Sequence, residues 1–149
     1  MYKHILIPTD GSERSEEAIA DGCALAAALN ARVTVLTVAL RLHSVETDPK
    51  PVVDIPGSES FVREYLHGQP EDLLVVAENI AADQGVACDT VRIEREHPYL
   101  GIIETATARG CDLIVMASHG RRGIAALILG SETVKVLTHS TIPVLVHRS

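Results

Sequence analysis

Two short segments of the chain combine residue types that can hold an anion. The first, Pro8 to Ser12, places a rigid proline, a carboxylate and a flexible glycine directly after an apolar run. The second extends from Ala117 to Ser131 and contains Gly120, Gly130 and a terminal serine hydroxyl. Glycine lets backbone N–H groups approach a phosphate closely, and a helix N-terminus adds further N–H groups and a favourable dipole. The second segment is therefore a candidate phosphate cradle.

Such a cradle needs additional contacts, because each helix-dipole interaction contributes only about 0.3–1 kcal/mol. Arg121 and Arg122 follow Gly120 and could add positive charge, and a Mg²⁺ or Mn²⁺ ion could bridge the phosphates. Plainer roles stay open: Asp10 could cap a turn, Gly120 and Gly130 could be ordinary loop glycines, and the arginines could be solvated surface charges. The spacing of Gly120 and Gly130 with Ser131 favours phosphate binding over ordinary loop glycines. For Arg121 and Arg122, a solvated surface position is the commoner role.

A catalytic site is harder to assemble from this sequence. Ser118 and His119 have the types of a nucleophile and a general base, but sequence neighbours seldom direct their side chains at each other, and no third member is identifiable. We therefore predict plain loop residues at these two positions. The seven histidines show neither HxH nor HExxH spacing, which gives a transition-metal site little support. The sequence predicts a binding protein rather than an enzyme.

Charge and composition disfavour several kinds of partner. The 149-residue chain has a formal net charge of −7, which opposes binding to nucleic acid and to anionic membranes. No apolar run is long enough for a signal peptide or a membrane span. The three cysteines are odd in number and lack CxxC spacing, so they encode neither a disulfide framework nor a zinc site. A reducing cytoplasm is the expected compartment.

Hydrophobic patterning predicts five strands that alternate with helices. Hydrophobic residues make up 46% of the chain but aromatic residues only 3%, which suits an aliphatic parallel sheet. The predicted strands are His4–Thr9, Val33–Val38, Val86–Glu94, Asp112–Ala117 and Ile142–His147, and the predicted helices are Glu13–Leu29, Pro70–Gly85, Pro98–Arg109 and Ser131–His139. Three prolines predict a loop over residues 43–57, with a helical turn or two over 58–67. The order predicts a single α/β domain over residues 1–149, with a doubly wound, five-stranded, mostly parallel, Rossmann-like sheet and helices on both faces.

This topology brings the two candidate segments together. In an open α/β sheet, ligands bind beyond the carboxyl ends of the strands where the winding reverses, and the segments follow predicted strands one and four. The last strand is rich in valine and leucine and begins near Pro143, which is typical of an edge strand. We therefore predict a homodimer that pairs through Ile142 to His147.

Four segments together resemble the universal stress protein family from end to end: Ile5–Ser12, Leu113–Gly120, Leu129–Ser131 and Ile142–Val146. The resemblance implies an adenine nucleotide α-hydrolase-like sheet that binds ATP, with Mg²⁺ or Mn²⁺ bridging the phosphates. It implies that Asp10 meets the ribose or adenine edge, that Val38 contacts the adenine, and that the glycine-rich loop holds the phosphates. The nucleotide-binding positions that it implies are Pro8, Thr9, Asp10, Val38, Met116, Ala117, His119, Gly120, Arg121, Arg122, Gly130, Ser131, Glu132 and Thr133.

One position departs from the pattern of the family's nucleotide-binding branch, which is Gly-x-x-Gly, nine residues, then Gly-Ser or Gly-Thr. Gly120, Gly130 and Ser131 match it, but Ala117 occupies the first glycine position, where a methyl group could crowd a ribose or phosphate. We predict an ATP-binding, nucleotide-responsive stress protein with at most slow hydrolysis. The alternatives are a dimeric scaffold or chaperone-like protein without nucleotide, and an enzyme of the wider α-hydrolase-like group, which the lack of a Ser-Gly-Gly start after strand one disfavours.

Overall fold

The computed structural model describes residues 1–40, 70–119 and 129–148. Its elements, in chain order, are β1 (His4–Pro8), α1 (Glu13–Leu29), β2 (Arg32–Leu40), α2 (Pro70–Asp83), β3 (Cys88–Arg95), α3 (Pro98–Ala108), β4 (Leu113–Ala117), α4 (Ser131–His139) and β5 (Val144–His147). The predicted alternation of strands and helices is confirmed over these ranges. The loop predicted for residues 43–57 and the helical turns predicted for 58–67 lie outside the described residues. Within the described ranges, no helix is long and apolar enough to cross a membrane.

The strands form one parallel sheet in the order β3-β2-β1-β4-β5. β1 lies at the centre, where Ile5 pairs with Val33 of β2 on one side and with Leu113 of β4 on the other. The chain winds outward from β1 through β2 to β3, then returns to add β4 and β5 on the opposite side. The predicted doubly wound sheet is confirmed, and the winding reverses between β1 and β4.

Two apolar cores cover the two faces of the sheet. Side chains of successive strand residues point to opposite faces, so Ile5 and Ile7 belong to one core and Leu6 to the other. The first core includes buried residues of α1 and α2, and the second includes buried residues of α3 and α4, such as Ile102 and Val136. All the core strand residues are aliphatic or small, as the low aromatic content predicts.

Helix α1 lies unusually close to the sheet at Gly22. A Cβ atom built at this glycine would lie 2.5 Å from Ile7 Cδ1 and 3.5 Å from Val115 Cγ1, so a side chain there would require Ile7 to shift. The helix begins at the predicted cap, where the Ser12 hydroxyl accepts the Ser15 N–H at 3.2 Å. The close packing at Gly22 holds α1 against the sheet.

The predicted strand boundaries were wrong by one or two residues, for local reasons. β3 begins at Cys88 because the Val86 N–H still donates to Ala81 O at the end of α2, at 3.0 Å. β5 begins at Val144 because the Ser140 hydroxyl donates to Ile142 O at 2.8 Å and accepts the Ile142 N–H at 3.0 Å, which holds that residue in a turn. The predicted edge position of the last strand is confirmed.

Candidate functional site

The carboxyl edge of the sheet carries an apolar surface on the face covered by α3 and α4. Val38 and Met116 both belong to the core on this face, and strand alternation places Pro8 there too, two residues after Leu6. Met116 is buried, whereas Pro8 and Val38 are half-buried. Three of the implied nucleotide-binding positions therefore share one face at the ends of adjacent strands.

The start of α4 is fastened to the end of β4. The Gly130 N–H donates to Ser118 O at 2.7 Å, and the Thr133 hydroxyl donates to Ala117 O at 3.0 Å, with Ser118 O also within 3.4 Å. Thr133 is buried, so its side chain holds the helix in place at this junction. These bonds set where the N-terminus of α4 lies relative to the strand ends.

The N-terminus of α4 lacks a side-chain cap. Its N-cap is Gly130, which has no side chain, and the first helical backbone bond runs from the Val134 N–H to Gly130 O at 3.0 Å. Helix geometry leaves the N–H groups of residues 131–133 without an acceptor inside the helix. Ser131 is exposed, and its hydroxyl makes no hydrogen bond within the part of the chain that the structure describes. α1, in contrast, is capped by Ser12. The arrangement can accept an anion at α4.

The Glu132 side chain points to a neighbouring helix. Its carboxylate accepts the Tyr99 N–H at 2.9 Å, which caps the N-terminus of α3, where His97 provides no side-chain cap. Lys135 lies against the same pair, with its Nζ 3.4 Å from the Glu132 carboxylate and 5.6 Å from the centre of the Tyr99 ring. This contact joins residues 33 positions apart, so no local sequence pattern predicts it.

The turn after β1 is held by its own side chains. One Asp10 carboxylate oxygen accepts the Ser12 N–H at 2.9 Å, so the turn-capping role considered for Asp10 is present. The Thr9 hydroxyl accepts the Gly11 N–H at 3.2 Å and lies 3.0 Å from the Ser15 hydroxyl. Gly11 has φ of +80°, a conformation that favours glycine. Asp10 itself is exposed at the carboxyl edge of the sheet.

Ser118 and His119 lie in the loop after β4, as predicted. Their side chains nevertheless form a hydrogen bond, contrary to the expectation that sequence neighbours seldom direct their side chains at each other. The Ser118 Oγ lies 3.1 Å from the His119 Nδ1, and each residue is only 5% exposed. The other ring nitrogen of His119, Nε2, is buried and has no hydrogen-bond partner among the described residues. The pair lies directly after β4, beside the carbonyl that holds Gly130.

Ala117 adopts ordinary extended backbone at the end of β4, where it pairs with His147. Of the described residues other than glycine, Asn30 alone has a positive φ, so the backbone at Ala117 does not require glycine. Strand alternation puts the alanine methyl on the face of Leu113 and Val115, beneath α1. The methyl group therefore lies on the opposite face from Met116 and its apolar neighbours.

Sequence patterns missed one polar cluster at this edge. His147, the last residue of β5, has its Nδ1 2.7 Å from Asp21 Oδ2 and its Nε2 3.5 Å from Glu17 Oε2, and both carboxylates belong to α1. Both carboxylates lie on α1, and each approaches a different nitrogen of the His147 ring. The cluster therefore links β5 to α1.

Within the described ranges, no group of three or more His, Cys, Asp and Glu residues is arranged to hold a metal ion. Gly120, Arg121 and Arg122 lie outside the described residues.

Comparison with known sequences gives a match over nearly the whole chain. The sequence model of the universal stress protein family matches residues 1–148. A universal stress protein of Methanocaldococcus jannaschii is 33% identical over 148 residues, covering 98% of this chain and 82% of that protein. The universal stress protein YxiE of Bacillus subtilis is 31% identical over 151 residues, covering 99% of this chain and all of that protein.

Comparison with solved structures gives the same fold. The universal stress protein UspA of Lactobacillus plantarum superposes with a TM-score of 0.74 at 26% identity, over 99% of this chain and 98% of that one. A universal stress protein in complex with cAMP gives a TM-score of 0.72 at 24% identity, over 99% of each chain. The Archaeoglobus fulgidus protein in complex with dAMP gives 0.65 at 18% identity, over 97% of each chain. The last two likenesses concern the fold alone.

Proposed function

The chain belongs to the universal stress protein family, and we propose that it binds an adenine nucleotide at the carboxyl edge of β1 and β4. The ligand proposed is ATP, with Mg²⁺ or Mn²⁺ bridging its phosphates. The observation that carries the proposal is the uncapped N-terminus of α4, which Gly130 and Thr133 fasten to the end of β4. Occupancy of this site would change the protein's shape or its partners in a stress response.

The geometry supports the phosphate end of this proposal. Three backbone N–H groups at the start of α4 point along the helix axis, where the dipole favours negative charge. The Ser131 hydroxyl is exposed beside them, and Gly130 adds no side chain that would fill the space. The N-termini of α1 and α3 already have side-chain caps, because Ser12 caps α1 and Glu132 caps α3. An anion is therefore the natural cap for α4.

The apolar face beside the cradle supports the base end. Pro8, Val38 and Met116 share one face of the sheet at the edge where the winding reverses. The Ala117 methyl lies on the other face, so it leaves that surface open. Two proteins of the same fold are described as complexes with cAMP and with dAMP, which makes adenine the base of choice for a first test.

We propose binding rather than catalysis as the role of the site. The Ser118 and His119 pair has the types of a nucleophile and a base, but a carboxylate partner for His119 Nε2 is missing among the described residues. Hydrolysis of bound ATP should therefore be slow. Turnover of ATP at the rate of a dedicated ATPase would contradict this part of the proposal.

We also propose a homodimer that pairs through residues Ile142 to His147. β5 is an edge strand, and Leu145 on it is 43% exposed. Val134 and Leu137 are exposed on the flank of α4 that faces away from α3, toward the same edge. The other edge strand, β3, is protected by charged side chains, which include Arg92, Glu94 and Arg95. An apolar edge beside an apolar helix flank suits a second copy of this chain.

The reducing cytoplasm is the proposed compartment. Cys23, Cys88 and Cys111 are all free thiols, and two of them are buried in the apolar cores. Free, buried thiols are typical of proteins that fold where disulfides do not persist. The proposal also places the protein where adenine nucleotides are abundant.

Calorimetric titration of nucleotide-stripped protein with ATP and Mg²⁺ tests the proposed site. We expect saturable binding that is abolished in Gly130→Asp, because the new carboxylate would occupy the N-cap and repel phosphate. Thr138→Asp is the matched control: it adds the same charge to the last turn of the same helix, at an exposed position. Retained binding in Gly130→Asp would contradict the assignment of the cradle to α4.

The second candidate is a dimeric scaffold or chaperone-like stress protein that binds no nucleotide. The sequence feature behind it is Ala117 in place of the first glycine of the family's nucleotide-binding pattern. The methyl group lies on the face opposite Met116, which makes this the weaker of the two candidates. The same titration separates the two functions. If the wild-type chain gives no heat with ATP, AMP or cAMP while its variants remain folded, the scaffold function replaces nucleotide binding.

A further inference from the structure

Helix α2 carries apolar side chains at its surface. Val75 is 54% exposed and Val76 is 37% exposed, although the next residue, Ala77, is buried against the sheet. Leu73 and Ile80 are half-buried and lie three residues before and four residues after Val76, so they share its side of the helix. These residues form the apolar strip of α2: Leu73, Val75, Val76 and Ile80. Apolar side chains gain free energy when a contact removes them from water, so the strip is suited to an apolar partner.

The net negative charge of the chain comes from the helical layer that includes this strip. Helices α1 and α2 together contain eight acidic residues and one basic residue, Arg14, whereas α3 and α4 together contain two acidic residues and one lysine. The excess of acidic residues on α1 and α2 equals the formal net charge of −7 of the full chain. An apolar strip on a strongly acidic layer suits a partner that is both apolar and basic.

Carboxylates near the strip are available to a cation. Within the described ranges, no ion pair and no hydrogen bond involves the side chains of Glu13, Glu16 or Asp72. Asp72 lies one helical turn before the centre of the strip. At the end of α2, the Gln84 amide donates to Ala20 O at 2.9 Å, and Ala20 lies on the side of α1 that also carries Glu13 and Glu16. This bond ties the acidic side of α1 to α2.

We propose that the outer surface of α1 and α2 is a docking surface for a basic, amphipathic helix of another protein. The apolar strip contacts the apolar side of that helix, and the carboxylates of Glu13, Glu16 and Asp72 bind its lysine and arginine side chains. Charge complementarity selects this occupant, because the same carboxylates repel nucleic acid, anionic membranes and a second acidic copy of this surface. The proposal is independent of nucleotide binding.

The docking surface stays accessible in the proposed dimer. α2 packs against β2 and β3, which lie at the edge of the sheet opposite β5. Pairing through residues Ile142 to His147 therefore leaves α2 uncovered on both protomers. We expect each protomer to bind one basic helix.

Fluorescence anisotropy with a labelled amphipathic peptide of leucine and lysine tests the proposal on the wild-type protein. We expect saturable binding with a Kd in the micromolar range, weakened several-fold when NaCl is raised from about 50 mM to about 300 mM, because salt screens the charges. The control is a peptide of the same composition whose sequence is rearranged so that no apolar side forms. No saturable binding of the amphipathic peptide, or equal affinity for the two peptides, would overturn the proposal.

Matched variants locate the binding. Val75→Ser combined with Val76→Ser removes apolar contact without a change of charge, and we expect it to weaken peptide binding about tenfold. Glu16→Gln combined with Asp72→Asn should weaken binding roughly threefold to tenfold and reduce its salt dependence. Leu100→Ser on α3, which is 39% exposed, is the control and should change the affinity less than about twofold. Circular dichroism checks that each variant is folded. Equal weakening by the Leu100 change would contradict the assignment to α2.

Two further measurements separate other occupants from the proposed one. In ¹⁵N HSQC spectra, the amphipathic peptide should shift amide signals of α1 and α2, and shifts confined to β5 or the start of α4 would overturn the proposal. In sedimentation velocity, Val75→Ser combined with Val76→Ser should leave the oligomeric state of the wild type unchanged. A smaller species in this variant would assign the surface to a second copy of the chain instead.

Discussion

At the scale of single residues, the three thiols differ in their chemical environment. Cys23 and Cys111 lie in the two apolar cores, and burial raises the pKa of each to about 11. Burial also raises the pKa of Cys88, with a smaller effect from the nearby Glu78 carboxylate, but this residue is half-buried at the start of an edge strand. Thiolate is the reactive form, so none of the three is primed for redox chemistry.

These environments predict the order of alkylation. At about pH 8, iodoacetamide should modify Cys88 first, and Cys23 and Cys111 only when the protein unfolds, because both their protonation and their burial protect them. Mass spectrometry of a time course, with a urea-unfolded sample as the control, measures this order. Modification of Cys23 in folded protein as fast as that of Cys88 would contradict the packing of α1 against the sheet.

Two groups at the amino edge make stability depend on pH in the same direction. Burial lowers the pKa of His4 below its ordinary 6.5, and the Arg32 charge acts in the same direction. Partial burial tends to raise the pKa of Asp112, but the N–H groups of His4 and Lys3 outweigh it and lower that pKa below 3.8. In both cases the unfolded chain takes up a proton at a higher pH than the folded chain does, so acidification favours unfolding.

The free energy of unfolding should therefore fall as the pH decreases below 6.5, and further below 3.8. His4→Gln, which can still hydrogen-bond to Thr34, should flatten the first of these decreases and leave the second. Urea titrations of both proteins across this range measure the difference. A variant with an unchanged pH dependence below 6.5 would show that His4 is not held neutral in the folded protein.

At the scale of elements, the junction between β4 and α4 should link stability to the proposed ligand binding. The Thr133 hydroxyl donates to Ala117 O, so Thr133→Val keeps the shape of the side chain and removes the donor. We expect a loss of about 1 kcal/mol in the free energy of unfolding, since a buried hydrogen bond is lost, and weaker ATP binding because the N-terminus of α4 is no longer held. Thermal unfolding and calorimetry measure the two effects.

Thr138→Val is the matched control for this change. Thr138 is exposed on the same helix, and its hydroxyl donates to Val134 O, which is part of the helix itself. The control should alter neither stability nor affinity by a comparable amount. Equal losses in the two variants would mean that the buried junction has no special part in ordering the cradle.

The order of the elements could be predicted from the sequence, but several of their contacts could not. β-Branched runs such as Val33–Val38 and glycines such as Gly110 mark strands and helix ends locally, and these predictions are confirmed. The bond from Tyr99 to Glu132 joins two helices that only the folded chain brings together. The Ser118 and His119 contact depends on side-chain rotamers after a strand end, which residue types do not specify.

At the scale of the whole molecule, the sheet has one charged edge and one apolar edge. The fold class was predicted from the alternation of strands and helices, and the edge position of β5 from Pro143 and the valine-rich and leucine-rich composition of the strand. The observed strand order confirms both predictions. Leu145→Asp should therefore separate the proposed dimer, because it places a charge in the middle of the pairing strand. Leu100→Asp on α3, which is 39% exposed, is the matched control.

Sedimentation velocity at micromolar concentration measures the oligomeric state of the three proteins. We expect dimers for the wild type and for Leu100→Asp, and monomers for Leu145→Asp. A monomeric wild type, or a dimer that survives the Leu145 change, would contradict pairing through β5. This test of the dimer does not depend on nucleotide binding. Repeating the sedimentation with ATP shows whether ATP shifts the equilibrium between monomer and dimer.

The proposed function depends on the open N-terminus of α4, which we propose holds the phosphates of an adenine nucleotide. A crystal structure of the protein grown with ATP and Mg²⁺ would show whether it does. We expect phosphate oxygens within hydrogen-bond distance of the backbone N–H groups of residues 131–133 and of the Ser131 hydroxyl, with the base against Val38. Density for ATP elsewhere on the molecule, or none at saturating concentration, would contradict it.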